Sequence, residues 1–181
     1  MIRLGSNSPT RALILKNFGI DFIQNGGSFD EDSITTTNPK SFCYEATLGK
    51  FNELFEKYGI EDYPLLVADS VVTSNGELLR KAKDEDDAKR MLELQSNSET
   101  SVITCMIYQS KHIKVIDISS TTYIFDEFDE THITKYINSG ECFGKAGAIM
   151  VEGFCKPYIK EVRGNESTAM GLCAEKLKTY L

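Results

Sequence analysis

A loop near the N-terminus combines residue types that can hold an anion at the start of a helix. Residues 5–8 read Gly-Ser-Asn-Ser and precede a segment, residues 9–18, whose apolar spacing is helical. Ser8 suits the N-cap and Pro9 the first helical position, where free backbone N–H groups attract anions. Arg11 falls in the first turn, where the helix dipole disfavours a cation unless an anion is bound. The segment predicts either an anion site or a capped helix with an incidental arginine.

Asp69 lies inside an apolar segment. Residues 64–72 are almost continuously apolar, as expected for a strand covered on both faces. An unpaired carboxylate there would cost several kcal/mol, so Asp69 must be hydrogen-bonded, bound to a cation, or placed at a strand end facing a cleft. A structural aspartate and a catalytic one are equally compatible with this pattern.

The other candidate groups are weaker when each is taken alone. Lys81 follows a predicted hairpin and Lys145 precedes small residues, but a lone lysine is most often solvated surface. Glu31 belongs to an acidic cluster that is most simply explained as solvated. The two histidines, His112 and His132, form neither a Ser-His-Asp pattern nor a metal-binding spacing, which disfavours serine-protease-like and zinc chemistry.

The elements that must position these groups alternate between helices and strands. Such alternation predicts the α/β class with a mixed sheet. The predicted helices are 9–18, 41–58, 84–95, 129–139 and 167–180, and the predicted strands are 2–4, 64–72, 77–80, 101–109, 112–125, 147–151 and 158–162.

Composition limits the class of protein. The 181 residues predict a single domain over residues 1–181, and a net charge of −7 argues against a protein that wraps nucleic-acid phosphates. The five cysteines are odd in number and widely spaced, which predicts reduced thiols. No segment has the length of a signal peptide or a membrane span, so we expect a cytoplasmic protein with no membrane partner.

The order of these segments resembles that of the Maf family of nucleoside triphosphate pyrophosphatases, over nearly the whole chain. The resemblance implies an elongated mixed β-sheet flanked by helices, with two lobes around a cleft as in inosine-triphosphatase-like proteins, and a homodimer. The segments that carry it are residues 4–15, Asp30-Glu31, residues 68–72, Lys81 followed by residues 86–92, Lys145-Ala-Gly147, Glu152-Gly153 and Gly171-Leu172.

The resemblance also implies an activity and a division of roles. Family members hydrolyse a nucleoside triphosphate to the monophosphate and pyrophosphate with a divalent cation, Mg²⁺ or Mn²⁺. Glu31 and Asp69 would serve the metal and the water, with Asp69 as the catalytic acid–base group. The phosphate-binding residues would be Ser6, Ser8, Arg11, Lys50, Lys81 and Lys145.

Departures from the family pattern bear on the substrate. Thr10 replaces the first of two arginines, and Glu152 stands where the uracil/thymine-preferring branch has glutamine. Both features favour the branch that acts on 7-methyl-GTP, with Glu152 binding the base and the enzyme removing modified nucleotides. Two alternatives are a dTTP/UTP pyrophosphatase of the same family, and a nucleotide-binding regulator of cell division and septum formation with little turnover.

Overall fold

The computed structural model describes all residues from Met1 to Leu181. The chain forms two compact units. The first unit contains Met1–Ser70, Ile103–Ser119 and Asn165–Leu181, and the second contains Val71–Val102 and Ser120–Gly164. The single domain over residues 1–181 stays a prediction.

The strands form one mixed sheet, which confirms the predicted α/β class. Its order is β2-β1-β3-β5-β6-β7, with β4 paired to β3. β1 runs parallel to β2 and β3, whereas β4 and β7 run antiparallel to β3 and β6. The strands are β1 (Ile2–Leu4), β2 (Phe22–Gln24), β3 (Leu65–Ser74), β4 (Glu77–Leu79), β5 (Glu99–Gln109), β6 (Lys114–Phe125) and β7 (Ile159–Arg163).

The four longer helices begin at polar caps that the sequence supplies. Ser8, Asn38, Asp84 and Asp129 each accept a hydrogen bond from a backbone N–H of the first turn. No helix of the structure is both long and apolar enough to cross a bilayer. The helices are α1 (Pro9–Asn17), α2 (Pro39–Tyr58), α3 (Glu85–Gln95), α4 (Glu130–Asn138), α5 (Glu166–Ala169) and α6 (Ala174–Leu177), with short 3₁₀ turns at Glu31–Ser33, Lys156–Tyr158 and Lys178–Tyr180.

Two apolar clusters of the first unit pack against opposite faces of β3. Leu66 and Ala68 belong to the cluster that includes residues of α1 and α6. Leu65 and Val67 belong to the cluster that includes residues of α2. Successive side chains of a strand point to opposite faces, so each face of β3 has its own covering helix.

The predicted strand over residues 147–151 is wrong. Ala146 makes one isolated bridge to Lys81, and the chain then turns. Gly147 and Ala148 have φ angles of +63° and +56°, and this left-handed conformation cannot continue a strand.

The predicted final helix over residues 167–180 is also wrong. It is divided into α5, α6 and a 3₁₀ turn. Gly171 has a φ angle of +109°, which interrupts the helix between α5 and α6. The prediction also missed the three-residue strand β2, which is too short to show a periodicity.

Candidate active site

The alternation of β3 determines what Asp69 and Ser70 can reach. Asp69 continues the series Leu65 and Val67, whose side chains face α2. Ser70 continues the series Leu66 and Ala68, whose side chains face α1. Two adjacent residues thereby supply polar groups to two different clusters.

The first cluster, which we call the carboxylate–lysine cluster, consists of Glu31, Lys50 and Asp69. Lys50 Nζ donates to Glu31 Oε1 and to Asp69 Oδ1, each at 2.6 Å. Burial alone would lower the pKa of Lys50, but its attraction to Asp69 and Glu31 outweighs that effect and raises the pKa above its usual value. The lysine is therefore a fixed positive charge between two carboxylates.

Helix α2 holds Asp69 at a second point. The buried thiol of Cys43 donates to the Asp69 backbone carbonyl at 3.3 Å. Burial is the main cause that raises the pKa of Cys43 well above its usual value, so this thiol acts as a donor rather than a nucleophile. Cys43 and Lys50 are seven residues apart and hence lie on one face of the helix.

Glu31 reaches Lys50 because α2 also holds the loop that precedes Glu31. The Glu53 carboxylate accepts from the Ser28 N–H at 2.8 and 3.1 Å and from the Ser28 hydroxyl at 3.0 Å. The Ser28 N–H is the main cause that lowers the pKa of Glu53. Phe29 lies against Gly49, where an added Cβ would come within 2.2 Å of its ring.

The second cluster, which we call the serine–arginine cluster, consists of Ser6, Ser8, Arg11 and Ser70. Ser8 caps α1 by accepting from the Arg11 N–H at 3.3 Å, which confirms the predicted N-cap. Arg11 Nη1 donates to Ser6 Oγ at 3.2 Å and Nη2 to Ser70 Oγ at 3.3 Å. Its Nε donates to the carbonyl oxygen of Gly171 at 2.8 Å.

These contacts give Arg11 a reason to lie in the first turn of α1 that does not depend on a bound anion. Its guanidinium already has three partners within the first unit. Burial lowers the pKa of Arg11, while the nearby Asp69 has the opposite effect. The arginine is therefore a structural link as well as a candidate anion ligand.

Gln24 is a site-supporting residue that the sequence did not reveal. Its Nε2 donates to the carbonyl oxygens of Ser6 at 2.8 Å and Ser8 at 3.2 Å. These bonds fix the loop that precedes α1 and leave its N–H groups to other partners. The residue ends the short strand β2, so no recognisable pattern marked it.

In the second unit, a β-bridge brings the segments of two predicted lysines, Lys81 and Lys145, next to each other. The bridge between Lys81 and Ala146 places Lys81 beside the segment that begins at Lys145, and the Gly147 N–H donates to the Arg80 carbonyl at 2.9 Å. Gly147 must lack a side chain because an added Cβ would lie 2.8 Å from Val72.

Glu152 lies in the second unit on an exposed turn rather than on a strand. Its charge contributes to the raised pKa of Tyr136, whose main cause is burial. Tyr136 stacks on Phe154 with ring centroids 4.5 Å apart. Glu152 thus borders a buried aromatic cluster but is itself accessible.

The chain is similar to a known family and to named proteins over nearly its whole length. The family model described as "Maf-like protein" matches residues 1–181. The chain belongs to the Maf family. The match covers both units of the structure, including the two clusters of the first unit and the lysines of the second.

The Maf relatives named "Nucleoside triphosphate pyrophosphatase" align over almost their full length. The protein from a Nitratiruptor species is 51% identical over 179 residues, which cover 98% of this chain and 96% of the relative. A protein from Helicobacter pylori is 39% identical over 174 residues, covering 96% of this chain and 91% of the relative. A protein from Campylobacter jejuni subsp. jejuni is 36% identical over 183 residues, covering 100% of both chains.

The predicted membership of the Maf family is therefore confirmed. The structure also brings most of the predicted site residues of the first unit into two clusters. Ser6, Ser8 and Arg11 form one cluster, and Glu31, Lys50 and Asp69 form the other. The roles assigned to them, and to Lys81, Lys145 and Glu152, stay predictions. No group of three or more His, Cys, Asp or Glu side chains has the geometry of a metal site.

Proposed function

We propose that this Maf protein hydrolyses a nucleoside triphosphate to the monophosphate and pyrophosphate with the help of a divalent cation. It is thus a hydrolase that acts on acid anhydrides, like the relatives that carry the pyrophosphatase name. The single observation that carries the proposal is the carboxylate–lysine cluster, in which Asp69 and Glu31 are held 2.6 Å from one ammonium group. Arg11 is close enough to Asp69 for the carboxylate to oppose the lowering of its pKa, which supports Arg11 as the proposed anion ligand beside this cluster.

Different residues have different roles in the proposed reaction. Arg11 and the N–H groups at the start of α1 bind phosphate oxygens, and Lys50 adds a positive charge beside the acids. Asp69 accepts a proton from water, whose oxygen forms a bond to the α-phosphorus while the bond to the bridging oxygen of pyrophosphate breaks. In the second unit, Lys81 and Lys145 are assigned to phosphate oxygens.

The donor set fits a divalent cation that arrives with the substrate. Mg²⁺ is usually held by one or two carboxylates together with substrate phosphates, and Glu31 and Asp69 are two such carboxylates. They are fewer than a resident metal centre needs, in keeping with the absence of a larger acidic group. When bound, the cation would neutralise charge on the triphosphate.

Glu152 supports a guanine-type base, with 7-methyl-GTP as the proposed substrate. A carboxylate only accepts hydrogen bonds, and guanine offers two adjacent donors, the N1–H and the 2-amino group. Uracil and thymine offer one N–H between two carbonyl acceptors, which suits a glutamine amide better. Methylation at N7 adds a positive charge to the purine, which increases its attraction to an acid. The exposed position of Glu152 leaves it available to a ligand.

The proposal extends to the cellular setting and the partners of the protein. Five buried free thiols are typical of a protein from a reducing compartment, which supports a cytoplasmic location. The family resemblance supports a homodimer. A nucleotide is the proposed partner, and the net charge of −7 disfavours a nucleic-acid polymer.

The test is a screen of pyrophosphate release over 7-methyl-GTP, GTP, UTP and dTTP with Mg²⁺ or Mn²⁺, in wild type and in Glu152→Gln. We expect a preference for 7-methyl-GTP that weakens in the variant, and no release in excess EDTA. A preference for UTP or dTTP, or an unchanged ranking in Glu152→Gln, would contradict the base assignment. Nucleotide binding without turnover would instead favour a regulatory protein.

A further inference from the structure

Arg11 belongs to a closed ring of hydrogen bonds that contains two residues with no assigned role, Ser70 and Thr104. Ser70 Oγ and Thr104 Oγ1 are 2.8 Å apart, and Thr104 Oγ1 donates to the Thr168 carbonyl at 2.8 Å. The Gly171 N–H donates to the same carbonyl at 3.1 Å, and the Gly171 carbonyl accepts from Arg11 Nε. The ring therefore returns to the guanidinium from which it started.

The direction of each hydrogen bond in the ring is fixed by elementary chemistry. The Thr168 carbonyl can only accept, so Thr104 must use its single hydroxyl hydrogen there. Ser70 must then donate its own hydrogen to Thr104 Oγ1, and it presents only lone pairs to Arg11 Nη2. A guanidinium can only donate, so this is the one arrangement of hydrogens that satisfies every member.

Burial makes this arrangement rigid. Thr104 and Thr168 are each 1% exposed, so neither can exchange its partner for solvent. An added Cβ at Gly171 would lie 3.3 Å from Arg11 Nε and 3.4 Å from Ser70 Oγ. Its φ of +109° also requires glycine, so the turn that closes the ring has little freedom.

We propose that Ser70 and Thr104 are positioning residues that set the orientation of the Arg11 guanidinium. This inference rests on the proposed function, in which Arg11 binds a phosphate of the substrate. Together with Ser6, the ring engages three of the five guanidinium N–H groups and so fixes its plane. The other two N–H groups remain for the phosphate, and their direction follows from that plane.

The main variant is Thr104→Val, which keeps the shape of the side chain and removes its hydroxyl. The Ser70 hydrogen then loses its acceptor and is free to turn toward the guanidinium, which disfavours the present orientation of Arg11. We expect the KM for the triphosphate to rise about tenfold with kcat within about twofold. Thr104→Ser keeps the hydroxyl and should restore the KM to within about twofold.

Thr100→Val is the matched control. Thr100 is on the same strand β5, is 0% exposed, and donates to Ser74 Oγ at 3.1 Å, so its loss also removes a buried hydroxyl. No bond of that hydroxyl leads to Arg11. We expect its KM to stay within about twofold of wild type, whatever it does to stability.

A double-mutant cycle shows whether the effect passes through Arg11. In an Arg11→Ala background, Thr104→Val should change KM by less than about twofold, because the group that it orients is gone. An equal rise of KM in both backgrounds, or an equal rise with Thr100→Val, would overturn the proposal. Should Thr104→Val fail to fold, Ser70→Ala removes the acceptor of Arg11 Nη2 at the first link and is judged by the same cycle.

A spectroscopic measurement tests the proposal independently of enzymatic activity. The Arg11 Nε–H resonance, assigned by its absence from the ¹H–¹⁵N spectrum of Arg11→Lys, should shift and exchange faster in Thr104→Val but not in Thr100→Val. An unchanged resonance in Thr104→Val would overturn the positioning role. If wild type releases no pyrophosphate from any triphosphate, the proposed function fails, and this resonance alone decides whether Ser70 and Thr104 orient Arg11.

Discussion

Replacing Lys50 with methionine tests the electrostatics of the carboxylate–lysine cluster. Glu31 Oε1 and Asp69 Oδ1 are both 2.6 Å from Lys50 Nζ, so they are separated by no more than twice that distance. Methionine keeps an apolar stem of similar reach but removes the charge. The two carboxylates would then face each other without a cation between them.

The size of the effect follows from that separation. Two unit charges about 5 Å apart repel by about 3 kcal/mol at the effective dielectric constant of about 20 that suits sites near a protein surface. The Glu31 and Asp69 side chains are 24% and 10% exposed, so solvent screens part of this repulsion. A bound divalent cation relieves the remainder, and we expect Mn²⁺ to bind Lys50→Met about tenfold more tightly than wild type in the absence of nucleotide.

The assay is titration of Mn²⁺ followed by electron paramagnetic resonance, with Lys57→Met as the matched control. This control changes the net charge equally because it also replaces a lysine with methionine. Lys57 is on the same helix, and its Nζ lies 5.1 Å from the centroid of the Tyr58 ring. Turnover of Lys50→Met should fall, because a proposed phosphate ligand is lost. Mn²⁺ affinity no higher than that of Lys57→Met would refute the assignment of Glu31 and Asp69 to a cation.

Two further predictions concern the supports of the site. Arg11→Ala removes three hydrogen bonds of a half-buried cation, so we expect a loss of about 2 kcal/mol in the free energy of unfolding and a Tm about 4–8 °C lower by calorimetry. An unchanged or higher Tm would mean that these bonds contribute nothing. The lowered pKa of Glu53 means that its stabilisation of the loop is present above the unfolded-state value of about 4.3 and is lost as pH falls through the folded-state pKa. Protection of the Ser28 amide from hydrogen exchange should therefore decline below about pH 4 in wild type and in the exposed control Glu56→Gln, whereas in Glu53→Gln it should be weak at every pH.

Local patterns predicted the parts of the fold that depend on local chemistry. The capping residue Ser8 and the apolar run that became β3 follow directly from rules about helix ends and buried strands. The same run placed Asp69 in a buried strand, which made it a candidate before its partner was known. Its pairing with Lys50 joins residues 19 positions apart, and no local rule specifies such a contact.

The failures have physical causes of a different kind. Residues 147–151 are apolar because several of them are buried, but Gly147 and Ala148 take left-handed conformations and bury them in a turn. The helix expected from residue 167 is interrupted where the Gly171 carbonyl accepts a hydrogen bond from Arg11 Nε, a residue 160 positions away in the sequence. Ser70 and Thr104 escaped notice because a serine or threonine in a strand is common, and only the three-dimensional ring gives it a role.

One measurement directly tests the proposed role of Asp69, which is to activate water for attack on a triphosphate. The products from 7-methyl-GTP and Mg²⁺ are followed by ³¹P nuclear magnetic resonance for wild type and Asp69→Asn, with folding checked by circular dichroism. We expect monophosphate and pyrophosphate from wild type, and a folded variant that still binds nucleotide but has kcat reduced by about 10²-fold or more. Full turnover by folded Asp69→Asn, or release of diphosphate and inorganic phosphate by wild type, would contradict the account.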